Sequence, residues 1–357
     1  MEIGDPAGAV SVTIQSNIPE RMLRNQSAEF RLRHPVPQAM MPVATRPHRA
    51  SDFDMGAQLD EVQELGTRVT NVFSVDVEDY FHVEAFSDIV PRERWDSYPL
   101  RVEDNTRRVL DLLDDQGVEA TFFVLGWVAD RRPALVREIA DRGHEIACHS
   151  YWHRLIYKLT PAEFAEDTRR AKDVIEQAAG RAVVGYRAPS YSITRSSLWA
   201  LDVLADEGFE YDSSIFPIRH DVYGIPDAPR APFRVDTPSG SLLECPITTF
   251  RLGGSTNFPV GGGGYLRLLP FWYTKYGYAR ARRQQLPLIA YIHPWEVDPD
   301  QPRLPGRARS RLRHYTNLSR THDRLVALLE LGEFSSFAKS GIGDAAPVVN
   351  TLMRDAR

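Results

Sequence analysis

The sequence is poor in cysteine and contains no long apolar run. Its 357 residues include two cysteines, Cys148 and Cys245. Two cysteines cannot form the disulfide framework of a small secreted protein, and they suit a reducing compartment. No stretch of about 18 apolar residues is present, so no membrane span is expected. The N-terminus also lacks a basic start followed by an apolar core, which is the pattern of a secretory signal. The simplest expectation is therefore a cytoplasmic protein.

Positive charge is not in excess either. The formal net charge is -5, and no block of lysine and arginine residues stands out. Both features argue against a general nucleic-acid-binding protein. The apolar and charged fractions are those of an ordinary globular protein. The length allows one large domain or two ordinary ones, and composition leaves the oligomeric state open.

The chain divides into regions of different pattern. Residues 1–68 contain prolines, arginines and methionines without a sustained period, which predicts a disordered extension. Residues 69–335 alternate apolar runs with stretches of helical length, which predicts a parallel α/β fold, either doubly wound or closed as a barrel. Within this domain, residues 218–286 are rich in proline, glycine and aromatic residues and are predicted to be an irregular insertion. Residues 336–357 are expected to form a loose tail.

Ionisable residues follow the apolar runs at the points where strands are expected to end. In parallel α/β folds, the carboxyl ends of the strands carry the functional groups. A core histidine or a surface acid explains any one of these residues, but it explains the whole set poorly. In chain order, the candidates are Asp76, Glu78, Asp79, His149, His153, Arg187, Asp212 and His293.

Two of the candidate histidines lie four residues apart. His149 and His153 reach the same point in space if the segment turns helically. Two imidazoles and one carboxylate hold a divalent metal such as zinc and leave one position open. On a strand, Asp76 and Glu78 face the same side, whereas Asp79 faces it only if the strand has ended. Asp76 and Glu78 therefore pair naturally as base and metal ligand, and Asp79 competes for the ligand role.

The other candidates suit supporting roles. Arg187 could hold the base in place through a bidentate ion pair. His293 could protonate a leaving amine, and a buried acid such as Asp212 could keep its ring oriented and charged. Trp295 and Glu296 follow His293 closely and could line a sugar groove, because aromatic faces stack on pyranose rings.

Residues 70–335 resemble the polysaccharide deacetylase family, carbohydrate esterase family 4, which shares the chitooligosaccharide-deacetylase homology domain. HSYWH (149–153) matches the H-[ST]-x-x-H metal motif of that family, and RAPSY (187–191) matches its R-x-P-x-[YFW] motif. VDVED (75–79) stands where the family shows T-F-D-D. IHPWE (292–296) stands where the family shows a strand that ends in the acid histidine.

The resemblance implies a fold, an activity and a set of roles. The fold is a distorted (β/α) barrel with parallel strands. The activity is hydrolytic removal of N-acetyl groups from an N-acetylated polysaccharide or its precursor. It uses metal-bound water, and the metal is a divalent ion, zinc first and otherwise cobalt or nickel. The implied roles are Asp76 as base, His149 and His153 as metal ligands, Arg187 as orienter of the base, His293 as acid, and the Tyr191 amide as oxyanion donor.

Two motifs depart from the family pattern. D-x-E-D replaces adjacent aspartates in the first motif, so either Glu78 or Asp79 is the carboxylate ligand. The stretch YDSSIF around Asp212 lacks the usual tryptophan.

The chain also resembles a narrower bacterial branch of the family, which has an added C-terminal region and is linked to exopolysaccharide production. The stretches that carry this resemblance are VDVEDYFHVEAF, GGGGYLRLLP and YIHPWEVDPDQPR.

Two other functions fit the same residues. One is hydrolysis of a small non-sugar amide, favoured if residues 218–286 close the groove. The other is a silent carbohydrate-binding protein, which the joint presence of base, ligands and acid disfavours. The glycine run 261–264 lacks the lysine and hydroxyl residue of a phosphate loop. It is predicted to be a mobile loop, with Tyr265 and Arg267 as candidate substrate contacts.

Overall fold

The computed structural model describes residues 70–354, so the extension predicted over residues 1–68 lies outside the described residues. The strands are β1 (Asn71–Val77), β2 (Thr121–Val124), β3 (Glu145–Cys148), β4 (Gly185–Tyr186), β5 (Tyr211–Asp212), β6 (Phe233–Thr237), β7 (Gly240–Glu244), β8 (Thr249–Phe250), β9 (Phe258–Pro259), β10 (Ile289–Ile292) and β11 (Phe334–Ser335). The α-helices are α1 (Val102–Gln116), α2 (Gly126–Arg131), α3 (Pro133–Asp141), α4 (Pro161–Ala179), α5 (Ala200–Asp206), α6 (Gly263–Leu268), α7 (Phe271–Arg283), α8 (Ala308–Tyr315), α9 (Thr321–Leu329), α10 (Phe337–Ser340) and α11 (Thr351–Arg354).

The main sheet is largely parallel. Its strands follow the order β10-β1-β2-β3-β4-β5-β7-β6, and β11 also pairs with β1. β6 runs antiparallel to β7, whereas β1 is parallel to β10, β11 and β2. Every residue of β1 and β2 is buried, as expected for strands covered on both faces. The prediction of a parallel α/β fold is confirmed.

The chain after β7 links two strands, β5 and β10, that lie far apart in the strand order. The Cys245 amide donates to the Asp212 carbonyl of β5 at 2.8 Å. Three residues later, the Thr248 amide donates to the carbonyl of Ile289 in β10 at 3.4 Å, and the Ile289 amide donates to Thr248 Oγ1 at 2.6 Å. The segment thus bridges from β5 to β10, which is the arrangement expected of a distorted barrel.

Helix α4 shows how local sequence signals place the site. It begins with a capping box, because the Thr160 amide donates to the Glu163 carboxylate at 2.8 Å and the Glu163 amide returns a bond to Thr160 Oγ1. It ends at Gly180, whose φ of 68° suits glycine. On its buried face, Asp167 accepts the amide N–H of Tyr151 at 2.8 Å. α4 therefore anchors the loop that carries the paired histidines.

Two regions are more ordered than their composition predicts. Residues 218–286 contain four strands and two helices, so regular elements occur within the predicted irregular insertion. The described part of the predicted loose tail pairs with β6, because Arg234 accepts from the Val349 amide and donates to the Pro347 carbonyl, both at 2.8 Å. Across residues 70–354, no helix has the length and apolar character needed to span a membrane.

Candidate active site

The first two acids of the site lie where β1 ends. The strand stops at Val77, and the Glu78 amide donates to the Asp76 carbonyl at 2.9 Å, so the chain turns there. Both carboxylates are buried. Asp76 is thus the last but one residue of β1, and Glu78 is the first residue after the strand.

Glu78 forms a cluster with the paired histidines. Its Oε2 lies 2.8 Å from His153 Nε2, and one ligand atom from each of Glu78, His149 and His153 lies within 4.8 Å of the others. His149 Nδ1 is 2.8 Å from the Arg187 carbonyl. Since a carbonyl only accepts, this nitrogen carries the proton, and Nε2 keeps its lone pair for a metal. One carboxylate and two imidazoles are a donor set that fits zinc and similar divalent ions.

The loop that carries these histidines is not helical. Ser150 and His153 have φ values of 61° and 50°, in the left-handed region that non-glycine residues rarely adopt. These residues, rather than the predicted helical turn, bring the rings of His149 and His153 to 5.4 Å. Arg92 holds the loop by donating to the carbonyls of Trp152 at 2.6 Å and His153 at 3.0 Å. Strain of this kind persists where surrounding contacts enforce it, typically at functional sites.

Electrostatics sets the protonation states of Glu78 and His149. Burial alone would raise the pKa of Glu78, but the charges of His153 and His293 outweigh it and hold this pKa below its usual range. Burial lowers the pKa of His149 to about 4. At neutral pH the carboxylate is therefore ionised and the His149 imidazole is neutral, as metal ligation requires.

Arg187 contacts Asp76, as the sequence predicts. Its Nη1 lies 2.7 Å from Asp76 Oδ1 and 2.8 Å from Ser74 Oγ. The guanidinium is fully buried, donates to Ser213 Oγ at 3.0 Å, and lies 4.0 Å from the centroid of the Phe123 ring. The pair is a single contact rather than the predicted bidentate one, because the other guanidinium nitrogens are bonded to Ser213. Arg187 thus fixes one carboxylate oxygen of Asp76.

His293 approaches the cluster from the end of β10. Its Nε2 lies 3.3 Å from Glu78 Oε1, and its Nδ1 lies 3.2 Å from Glu296 Oε2. The same Glu296 oxygen accepts the backbone amide of His293 at 3.0 Å. Burial would lower the pKa of His293, but the negative charges of Glu78 and Glu296 raise it to about 9. The imidazole is therefore protonated at neutral pH.

Glu296 is itself held by residues of the glycine-rich stretch. Its Oε1 lies 2.7 Å from Arg267 Nε, and Arg267 Nη1 donates to three backbone carbonyls between residues 313 and 316. A Cβ on Gly263 would lie 2.1 Å from Glu296 Oε2. The glycine run therefore allows close packing against Glu296, and the predictions of a mobile loop and of Arg267 as a substrate contact do not fit the structure.

Asp79 lies outside the metal cluster. Its Oδ2 accepts the amides of Arg101 at 2.7 Å and Val102 at 2.9 Å, and its Oδ1 accepts the Tyr80 amide at 2.9 Å. Burial raises the pKa of Asp79 to about 6. Asp79 satisfies free N–H groups at the start of α1, which leaves Glu78 as the carboxylate of the cluster.

Asp212 does not hold the acid histidine. It lies on β5 in register with Glu244 of β7, and its Oδ1 is 2.5 Å from Ser214 Oγ. Burial raises the pKa of Asp212 to about 6. The position beside the His293 ring that the sequence predicts for Asp212 belongs to Glu296. The signal that could have found it is the i, i+3 spacing of His293 and Glu296, which is that of a capping box.

Trp295 and Tyr191, two further predicted substrate contacts, are engaged within the protein. Trp295 is 4 % exposed and stacks between His293 at 5.2 Å and His314 at 4.0 Å, so neither face is open to a sugar. The Tyr191 amide, predicted to hold the oxyanion, donates to the Ala188 carbonyl at 3.1 Å. Tyr191 also has a φ of 53°, so this second site loop is strained as well.

Comparison with known proteins identifies two adjacent regions. Residues 94–210 match the family model of polysaccharide deacetylases, and residues 213–340 match a domain of unknown function, DUF3473. The peptidoglycan-N-acetylglucosamine deacetylase of Bacillus cereus is 34 % identical over 98 residues, which are 27 % of this chain and 36 % of that protein. A chitooligosaccharide deacetylase of Bradyrhizobium is 35 % identical over 100 residues, 28 % of this chain and 43 % of that protein. The matches thus span about two fifths of these relatives.

Among solved structures, a putative polysaccharide deacetylase from Mycobacterium smegmatis is similar to this chain. The TM-score is 0.47 and the identity is 22 %, and the match covers 75 % of this chain and 94 % of that one.

The two family matches cover different residues of the candidate site. The histidine pair and Arg187 lie in residues 94–210, whereas His293, Glu296 and Arg267 lie in residues 213–340. Asp76 and Glu78 precede both matched regions. The region of unknown function therefore supplies His293 and the two residues that hold it.

Proposed function

We propose that this chain is a metal-dependent hydrolase that removes N-acetyl groups from an N-acetylated polysaccharide or its precursor. The match of residues 94–210 to the polysaccharide deacetylase family model supports this proposal. The observation that carries the proposal is the contact between the buried Glu78, which clusters with two histidines, and the protonated His293. A general acid beside a metal site that also has an aspartate base suits amide hydrolysis, and a binding protein has no use for it.

Glu78, His149 and His153 would hold the metal, for which zinc is the first candidate and cobalt or nickel are alternatives. When bound, such an ion polarises an amide carbonyl and makes water more acidic. The protein supplies an ionised carboxylate and two imidazoles in one buried cluster.

Asp76 is the proposed base. It would accept a proton from the attacking water as the water oxygen bonds to the acetyl carbon. Arg187 fixes one of its oxygens at 2.7 Å, so the carboxylate stays in one orientation through the reaction. Holding the proton acceptor in place in this way contributes to the rate because it removes an orientational cost.

His293 is the proposed acid. Its Nε2, which lies beside Glu78, would give its proton to the amide nitrogen as the C–N bond breaks, and the products are acetate and a free amino sugar. Glu296 accepts from the other ring nitrogen and keeps the ring aimed at the site. The negative charge of Glu296 and its hydrogen bond to the ring raise the pKa of His293 and so favour the protonated form that an acid needs.

The substrate class follows from the relatives. The two relatives are named as deacetylases of peptidoglycan N-acetylglucosamine and of chitooligosaccharides. We extend this to a glycan that contains N-acetylglucosamine, within exopolysaccharide production.

Acetate release from N-acetylated oligosaccharides tests the proposal. We expect release by the wild type with zinc, its loss on chelation, and at least about a 100-fold lower kcat in Asp76→Asn with the metal content unchanged. Undiminished turnover in Asp76→Asn would overturn the base assignment. Absence of acetate release from every N-acetylated glycan with metal bound would overturn the function.

A further inference from the structure

Positive charge is concentrated in one part of this acidic chain. Residues 245–322 contain twelve lysines and arginines and three acidic residues, although the whole chain has a net charge of -5. Within this part, residues 301–322 contain six arginines and no acid. The arginines alternate with small and apolar residues, so no continuous basic block marks the segment in the sequence.

The arginines of α8 are exposed and unneutralised. Arg309, Arg311 and Arg313 are exposed, and within residues 70–354 none of them pairs with a carboxylate. In contrast, Arg107 of α1 contacts Glu138, and Arg142, which directly follows α3, contacts the same carboxylate. Surface arginines in this chain are thus commonly paired, and those of α8 are available to a ligand.

Helix α8 is fixed beside the acid histidine. His314 stacks on Trp295 with ring centroids 4.0 Å apart and planes at 16°, and Trp295 stacks on His293 at 5.2 Å and 17°. Arg267, which holds Glu296, also donates to the carbonyls of residues 313 and 314 at 3.2 Å. The end of α8 is therefore attached to the same residues that orient His293.

The arginines also approach the aromatic side of the site. Burial lowers the pKa of His220, and the positive charges of Arg313 and Arg309 lower it further. His220 stacks on Tyr223 at 3.9 Å, and the Tyr223 ring lies 6.1 Å from that of Tyr191 in the second site loop. Arg309 and Arg313 are thus near enough to His220 to act on its charge, and His220 belongs to an aromatic cluster that includes Tyr191 of the second site loop.

We propose that Arg309 and Arg313 bind an anionic group, a phosphate or a carboxylate, that the N-acetylated substrate carries near the acetyl group to be removed. This inference rests on the proposed function and deepens it by assigning the substrate class. A guanidinium donates two parallel hydrogen bonds to either oxyanion, which a lysine cannot do. The positive charge at the site rim also draws such substrates from solution.

Paired substrates test the inference. Chitotetraose in its fully N-acetylated form is neutral, a hyaluronan tetrasaccharide carries carboxylates, and UDP-N-acetylglucosamine carries a pyrophosphate. We expect the wild type to favour an anionic substrate in kcat/KM. This preference should fall at least about tenfold in Arg309→Gln/Arg313→Gln, because the variant loses its charge-assisted hydrogen bonds to the anion. The preference should also weaken as salt rises.

The matched control is Arg282→Gln/Arg283→Gln. It removes the same charge from exposed arginines at the end of α7 and should keep the preference. If both double variants lost the preference for anionic substrates equally, the preference would come from the overall charge of the protein, and the anion site would be overturned. Thermal unfolding and the single variant Arg309→Gln exclude misfolding as the cause.

Equilibrium binding separates this inference from the proposed function. Titration with the hyaluronan tetrasaccharide and with UDP-N-acetylglucosamine should show tighter binding by the wild type than by the α8 variant, and the tighter of the two ligands identifies the oxyanion. Binding that weakens in the α8 variant, without acetate release from any N-acetylated glycan, would overturn the proposed function and support the anion site. Hydrolysis of the neutral substrate with no anionic preference and no difference in binding would overturn the anion site alone.

Discussion

Glu296 contacts His293 twice through a single oxygen atom. Glu296 Oε2 accepts the His293 backbone amide at 3.0 Å and lies 3.2 Å from the ring Nδ1, while Oε1 is bonded to Arg267 at 2.7 Å. Arg267 and Glu296 are both buried. Glu296 therefore sets the orientation of the His293 ring, and both residues lie in the turn that follows β10.

Glu296→Gln should lower kcat without loss of metal. The amide keeps an acceptor for the backbone but removes the negative charge that favours the imidazolium, and it weakens the ion pair with Arg267. Loss of general-acid assistance costs about 100-fold or more. Steady-state kinetics on an N-acetylated oligosaccharide, with metal analysis of the same preparation, measures this effect.

Asp212→Asn is the control for Glu296→Gln. Asp212 is a buried acid of the same fold that bonds to Ser214 rather than to His293, so its change should have a far smaller effect on kcat. If Asp212→Asn lowered kcat as much as Glu296→Gln, with equal stability, the assignment of Glu296 would be wrong.

Gly263→Ala should disturb His293 through Glu296. The added Cβ would lie 2.1 Å from Glu296 Oε2, whereas a Cβ on Gly264 would meet nothing within 4 Å. We expect a drop in kcat of about tenfold or more for Gly263→Ala, because misplacement by about 1 Å is enough to cost such factors. Gly264→Ala is the matched control and should keep full turnover; similar kinetics for the two variants would contradict the close packing.

The buried pair Asp212 and Glu244 should make the fold less stable as pH rises. Burial raises the pKa of Asp212 to about 6, and burial together with the charge of Asp212 raises that of Glu244 well above its usual value. Carboxyls with raised pKa in the folded state keep protons that the unfolded state has lost. The free energy of unfolding therefore falls as pH rises from about 4 through 6 and beyond.

Glu244→Gln replaces one of these two carboxyls with an amide that does not titrate. The drop in Tm between pH 5 and pH 8 should be smaller in this variant than in the wild type. The difference should be about 2–4 °C for each 1 kcal/mol of unfolding free energy that the titration of Glu244 contributes. Glu166→Gln, a change at an exposed position of α4, serves as the control. Parallel Tm curves for the wild type and Glu244→Gln would contradict the raised pKa of Glu244.

The order of elements and most of the site follow from local patterns. Strand ends marked by Asp76, His149 and His293 could be found because apolar runs stop at ionisable residues, and the fold brings the carboxyl ends of parallel strands together. The contact of Arg187 with Asp76 follows from the same placement. These features depend on chain order and strand alternation, which a sequence displays directly.

The supporting contacts could not be found in that way. Whether Asp79 or Glu78 faces the histidines depends on a turn after Val77 and on the free N–H groups of α1, which are distant in sequence. Glu296 is near His293 in sequence, but its role depends on Arg267 arriving from another helix. Such pairings arise from tertiary packing, which periodicity does not encode.

The metal content of the purified protein tests the central claim most directly. Elemental analysis of the wild type, His149→Ala and Asp79→Asn should give about one zinc-like ion per chain in the wild type, none in His149→Ala, and an unchanged value in Asp79→Asn, which only weakens the start of α1. No ion in the wild type after incubation with zinc, cobalt or nickel, or full retention of the ion in His149→Ala, would contradict the site of Glu78, His149 and His153.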